Sequence, residues 1–134
     1  KNKENPVFYV QYSYARINSL FRSVKINLKK NIQLGQNENS LNFYETRLLR
    51  KIIEWPKVVE ISSNRLEPHR IPFYLYELAT IFHSYWSKGN EDDKYKFIKN
   101  DKINKLISFK LFQLTSLTIE NGMKILGVSL PKKM

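Results

Sequence analysis

The stretch Pro6-Val7-Phe8-Tyr9-Val10-Gln11-Tyr12-Ser13-Tyr14-Ala15-Arg16-Ile17-Asn18-Ser19-Leu20-Phe21 decides the fold class. Its apolar side chains Val7, Val10, Tyr14, Ile17 and Phe21 recur at alternating steps of three and four, and Val24 and Leu28 extend the pattern. Residues of a helix turn by about 100° each, so this spacing gathers them on one stripe, whereas a strand would match every second residue. The spacing predicts a long helix from Pro6 to about Lys30, with Pro6 in the first turn, where its missing N–H costs no hydrogen bond.

Outward from this helix, Gly35-Gln36-Asn37-Glu38-Asn39-Ser40 is rich in turn formers and predicts a loop. Leu41, Tyr44, Leu48, Leu49, Ile52 and Ile53 then keep helical period from near Ser40 to Trp55-Pro56, where proline ends or restarts the helix. A short segment through Val58, Val59 and Ile61 follows. Glu67-Pro68-His69-Arg70 opens a third major helix, apolar along Ile71, Leu75, Leu78, Phe82 and Tyr85 to about Trp86. The polar run from Lys88 to Asn100, with Gly89, predicts a loop with a turn of helix around Tyr95 to Ile98. A last long helix is expected from about Asp101 to Met123, carrying Ile103, Leu106, Ile107, Leu111, Leu114 and Leu117. No strand-period alternation and no repeat interrupts this pattern. The architecture is all-α, a bundle of four long helices with short helical segments.

The 134 residues fit one domain, 1–134, with an ordinary hydrophobic share of 42% that favours a folded core. The chain has no cysteine, which removes disulfides, thiolate ligands and thiol nucleophiles and agrees with a cytosolic setting. No apolar run approaches the roughly 20 residues of a membrane span, so no membrane partner is expected. The net charge of +11 is unevenly placed. Residues 1–37 carry Lys1, Lys3, Arg16, Arg22, Lys25, Lys29 and Lys30 against Glu4, and residues 102–134 carry six lysines against Glu120. The stretch between is neutral. If the basic ends meet, they form a positive surface suited to a polyanion, with nucleic acid ahead of anionic lipid. An A+T-rich genome would also enrich Lys, Asn and Ile with no binding role.

Catalytic patterns are missing. His69 and His83 have no carboxylates at ligand spacing, and His83 sits near an apolar stripe, where a boundary histidine is commoner than a ligand. The four glycines form no phosphate-cradling motif, and Glu91-Asp92-Asp93 reads as a solvated charge run rather than a calcium loop. One other feature stands out: Tyr9, Tyr12 and Arg16 share a side of the first helix away from its apolar stripe, and Ser23 continues the line. Rings that stack on splayed bases beside a guanidinium that holds phosphate suit single-stranded RNA. A helix buried on two sides gives the same spacing.

Three blocks resemble, in order and separation, the C-terminal region of arginyl-tRNA synthetases. Asn5-Pro6-Val7-Phe8-Tyr9-Val10-Gln11-Tyr12-Ser13-Tyr14-Ala15-Arg16-Ile17 is similar to the family's junction between catalytic and anticodon-binding domains. Leu66-Glu67-Pro68-His69-Arg70 through Tyr74-Leu75-Tyr76-Glu77-Leu78-Ala79 and Phe82-His83-Ser84 is similar to its central helix. Asn121-Gly122-Met123-Lys124-Ile125-Leu126-Gly127-Val128 with Pro131-Lys132-Lys133-Met134 is similar to its terminus. Cysteinyl- and glycyl-tRNA synthetases carry related helical domains, but the first and last blocks together point to the arginyl enzyme.

The resemblance implies a DALR-type anticodon-binding domain that receives the anticodon stem-loop of tRNA(Arg). The parent enzyme would charge that tRNA with arginine, using ATP and Mg in a catalytic domain absent from these residues. Residues 1–8 would end the linker from that domain, and no cofactor or metal is expected here. It also implies the contacts: Tyr9, Tyr12 and Arg16 facing the loop, Trp86 ending the central helix, and Met134 at the terminus. Lys132 and Lys133 would neutralise phosphate. Tyr14 stands where the family usually has His and lies on the core stripe, so it is expected to pack. Trp86 replaces the usual Tyr, keeping a ring but losing a hydroxyl. A monomer is expected, partnered by the catalytic domain. The alternative is a non-catalytic basic helical domain that binds protein.

Overall fold

A computed structural model describes residues 5–36 and 40–134. Residues 1–4 of the expected linker and residues 37–39 of the expected loop lie outside them.

Among the described residues five α-helices carry the fold: α1 (Pro6–Ser23), α2 (Phe43–Ile53), α3 (Trp55–Asn64), α4 (Arg70–Glu91) and α5 (Leu106–Leu126). The short α3 is the segment expected through Val58 to Ile61. Local chemistry sets their ends. The Asn5 side chain accepts the Phe8 N–H at 3.1 Å and caps α1, so Pro6 to Phe8 of the expected linker form its first turn. Asn42 and Glu45 bond each other's backbone N–H at 2.9 Å, a reciprocal cap on α2. Gly127, at φ +70°, closes α5 in the left-handed region that favours glycine.

α4 is the central element, packed by α1, α2, α3 and α5. Its Leu78 and Phe82 are fully buried with Ile17 and Phe21 of α1, Leu48 of α2, and Phe109, Phe112 and Ile119 of α5. Burying such a side chain stabilises by about 1.5–3 kcal/mol. A polar cluster ties three helices. The buried Glu45 carboxylate of α2 accepts Lys105 Nζ at 2.6 Å, Tyr85 Oη of α4 at 2.8 Å and Ser108 Oγ of α5 at 3.0 Å. A buried charge needs such partners to be tolerated.

The largest departures from the sequence-based expectation are three. α1 stops at Ser23 instead of running to Lys30. Lys25 turns left-handed at φ 58°, and the Ile26 N–H returns to the Phe21 carbonyl at 3.0 Å. Val24 and Leu28 still pack on the core, from an irregular segment held to α5 where Gln113 Nε2 donates to the Leu28 carbonyl at 2.9 Å. Apolar periodicity recorded burial there, not helicity. α4 runs past Gly89 to Glu91, and that glycine makes room for a ring: a Cβ on it would lie 2.3 Å from Phe97 Cε1.

The third difference lies between α4 and α5. A 3-10 turn at Asp93–Tyr95 precedes β1 (Ile98–Lys99) and β2 (Lys102–Ile103), an antiparallel pair with Ile98 opposite Ile103. Asn100 and Asp101, at φ 52° and 60°, form its two-residue turn, a conformation that Asn and Asp tolerate. α5 therefore starts at Leu106 rather than near Asp101.

Candidate nucleic-acid interface

Tyr12, Ala15, Arg16, Ser19 and Ser23 line one wall of an open cleft of about 400 Å³. Helical spacing puts them on one face of α1, and the small side chains leave the space that the large ones border. Trp86 of α4 forms the opposite wall and Met134 the rim. Among the described residues no acidic side chain lines it. The Arg16 guanidinium carbon lies 4.5 Å from the Tyr12 ring centroid and 5.0 Å from that of Trp86, within cation–π range of both. Its Nη2 donates to Tyr12 Oη.

The C-terminal tail lies along α1. Gln11 Nε2 donates to the Ser129 carbonyl at 2.9 Å, and Arg22 Nη1 donates to the Lys132 carbonyl at 3.2 Å. These ties lay the tail beside α1 and bring Met134, 54% exposed, to the cleft. Lys132 borders a neighbouring groove with Arg22 and Lys29, and Lys133 is exposed. Among these cations, Lys29 pairs with Glu120, which also accepts Tyr14 Oη at 2.6 Å. Burial pushes the Glu120 carboxyl up, but the bonds from Lys29 and Tyr14 outweigh it and hold its pKa below the ordinary range.

Tyr12, Arg16, Trp86 and Met134 thus share one cleft, with Lys132 on the adjoining tail. Tyr9 does not line it. Its ring sits 4.7 Å from His83 and 5.4 Å from Tyr76, and burial raises its phenol pKa. Tyr14 and Tyr85 are buried. A larger groove of about 590 Å³ lies between α2, α3 and α4, but Glu54 and Glu77 line it, and its Lys51, Lys57 and Arg70 are each paired with a glutamate. It suits a polyanion less well.

The family model described as the DALR anticodon binding domain matches residues 10–134. The chain belongs to this family. The arginine–tRNA ligase of Pelagibacter ubique is 48% identical across the whole chain, which covers 23% of that relative. The arginine–tRNA ligase of Bartonella bacilliformis is 36% identical, again across the whole chain and 24% of the relative. The chain therefore spans about a quarter of the length of the curated relatives it matches. A structure described as an arginyl-tRNA synthetase from Campylobacter jejuni superimposes with a TM-score of 0.77 at 28% identity, over 97% of this chain and 27% of that one. The arginyl-tRNA synthetase of Thermus thermophilus, at 22% identity and a TM-score of 0.69 over 94% of this chain and 21% of that one, shows the fold alone.

In this DALR domain, His83, read from the sequence as a boundary histidine, and Ser13, which the sequence did not single out, lie beside the cleft. His83 Nε2 lies 2.9 Å from Ser13 Oγ, and its Nδ1 lies 3.5 Å from Arg16 Nη1. The imidazole stacks with Tyr12, at 5.6 Å between centroids and 23° between planes. Burial first, and the Arg16 charge second, push its pKa down to about 4. The available signal was spacing, because His83 and Trp86 stand three apart on α4 and share a face. Which partner from α1 they meet depends on how the helices pack.

Proposed function

We propose that the cleft between α1 and the end of α4 receives the anticodon stem-loop of tRNA(Arg), so that a parent enzyme can attach arginine to it. The single observation that carries this reading is the cleft itself, where Tyr12, Arg16, Trp86 and Met134 converge with no acidic neighbour among the described residues. Trp86 offers a ring to stack on an unpaired base, Arg16 a forked cation for phosphate, and Met134 an apolar edge. Lys132 and Lys133 add diffuse positive charge along the tail. Tyr9 acts from behind, packing the wall of the site.

The finer parts of the proposal extend beyond this chain. A catalytic domain of the same enzyme would supply aminoacylation with ATP and Mg, the whole acting as a cytosolic monomer. Among the described residues no three His, Cys, Asp or Glu side chains gather where they could hold a metal ion. No helix of the described residues is long and apolar enough to cross a membrane.

The test is a titration of this chain with the anticodon stem-loop of an arginine tRNA across a salt series. Binding should weaken with a log–log slope of about 0.7 for each single-strand phosphate neutralised. A folded sample that bound the hairpin independently of salt, or not at all, would refute the proposal.

A further inference from the structure

We propose that His83 is a positioning residue for Arg16, its Nδ1 acting as a fixed acceptor that helps hold the guanidinium between Tyr12 and Trp86; this rests on the cleft being the RNA site. Of the two neutral tautomers, only the one with its hydrogen on Nε2 leaves both neighbours bonded, because an Nδ1–H would face the Arg16 N–H. Ser13 Oγ has one hydrogen and donates it to the Tyr9 carbonyl at 3.1 Å, the carbonyl one turn back. Toward His83 Nε2, 2.9 Å away, the hydroxyl can then only accept. The imidazole hydrogen is thereby placed on Nε2, and Nδ1 keeps a lone pair toward Arg16 Nη1 at 3.5 Å, the long end of a hydrogen bond.

Packing fixes the ring that presents this lone pair. Tyr9, Tyr12 and Phe82 surround it with centroids 4.7, 5.6 and 5.1 Å away. Burial disfavours the imidazolium, so the group beside Arg16 is a neutral acceptor rather than a second cation. Arg16 is then held at both terminal nitrogens, Nη1 by His83 and Nη2 by Tyr12. A guanidinium has five N–H donors, and this leaves three for an incoming phosphate or base. Arginine is flexible and otherwise samples many rotamers, and a guanidinium fixed before RNA arrives avoids that ordering cost on binding.

The test measures affinity of the chain for the arginine-tRNA anticodon hairpin, with stability determined alongside. His83→Leu, which removes the acceptor, should bind about tenfold more weakly, the effect of one hydrogen bond to a charged group. His83→Asn carries an amide oxygen near the Nδ1 position and should stay within about threefold of wild type, although both variants lose packing. In the Arg16→Ala background, His83→Leu should cost no further affinity. If Asn and Leu weaken binding alike, in step with lost stability, the role is structural only and the proposal fails. If Arg16→Ala weakens binding but His83→Leu does not, the proposal fails while the RNA reading stands. If Arg16→Ala binds like wild type, the RNA reading itself falls, and the proposal with it. Nitrogen NMR of the wild-type ring serves even where a variant does not fold: the Nε2–H tautomer is expected, and an Nδ1–H tautomer would overturn the assignment.

Discussion

Arg16 and Trp86, seventy residues apart in sequence and on different helices, face each other with 5.0 Å between the guanidinium carbon and the ring centroid. The other side of the indole rests on the core, 5.3 Å from Phe97 and 5.6 Å from Phe82 by centroids. One side chain therefore serves both the cleft and the interior. Trp86→Ala is expected to weaken hairpin binding by about 1–3 kcal/mol, the usual worth of a base stacked on a ring, and also to lower stability. Trp86→Phe should recover most of the stability. Fluorescence-anisotropy titration of folded samples decides, and unchanged affinity in Trp86→Ala would remove the indole from the site.

The tail offers a cleaner electrostatic test. Arg22 grips the Lys132 backbone carbonyl, not its side chain, so replacing Lys132 and Lys133 by Ala leaves the tie to α1 in place. The double variant should fold normally and flatten the salt slope by about 1.4 if both lysines meet single-strand phosphates. An unaltered slope would place the tail outside the interface.

Glu45 should matter for stability and not for RNA. Its side chain is fully buried and bonded to Lys105, Tyr85 and Ser108. Glu45→Ala strands these partners and removes half of the reciprocal cap on α2, a loss expected at about 3–5 kcal/mol. Urea unfolding measures it, and hairpin affinity of the remaining folded protein should hold. A loss under about 1 kcal/mol would mean that the cluster does not pin the three helices.

Acid should destabilise the fold through His83. Its pKa is about 4 in the folded chain against an ordinary 6.5, so between those values the unfolded chain binds more protons. Stability then falls as pH drops through that window, by on the order of 3 kcal/mol in full at about 1.4 kcal/mol per pKa unit. Arg16 is the charged neighbour, and the surrounding Tyr9, Tyr12 and Phe82 rings stay neutral there. Unfolding curves from pH 7 to 4 should show the loss in wild type and a smaller one in His83→Gln. Equal losses would assign the effect to carboxylates such as Glu120 instead.

The amino-acid order alone established the helices and most of their inward faces, because apolar spacing, prolines and capping side chains act within a few residues of each other. Val10, Ile17, Leu78 and Phe82 were legible as core in this way. It also made Tyr12 and Arg16 legible as one face of α1. Packing decided where that periodicity broke down. Val24 and Leu28 are apolar because they cover the core, yet they do so from an irregular segment, and Gly89 is a cut-out for Phe97 rather than a helix stop. Tertiary structure alone set Trp86 opposite Arg16, carried Met134 to the cleft, and turned His83 toward Ser13. Such pairings depend on how α1, α4 and the tail are juxtaposed, and that follows from the fit of the whole core rather than from any local spacing.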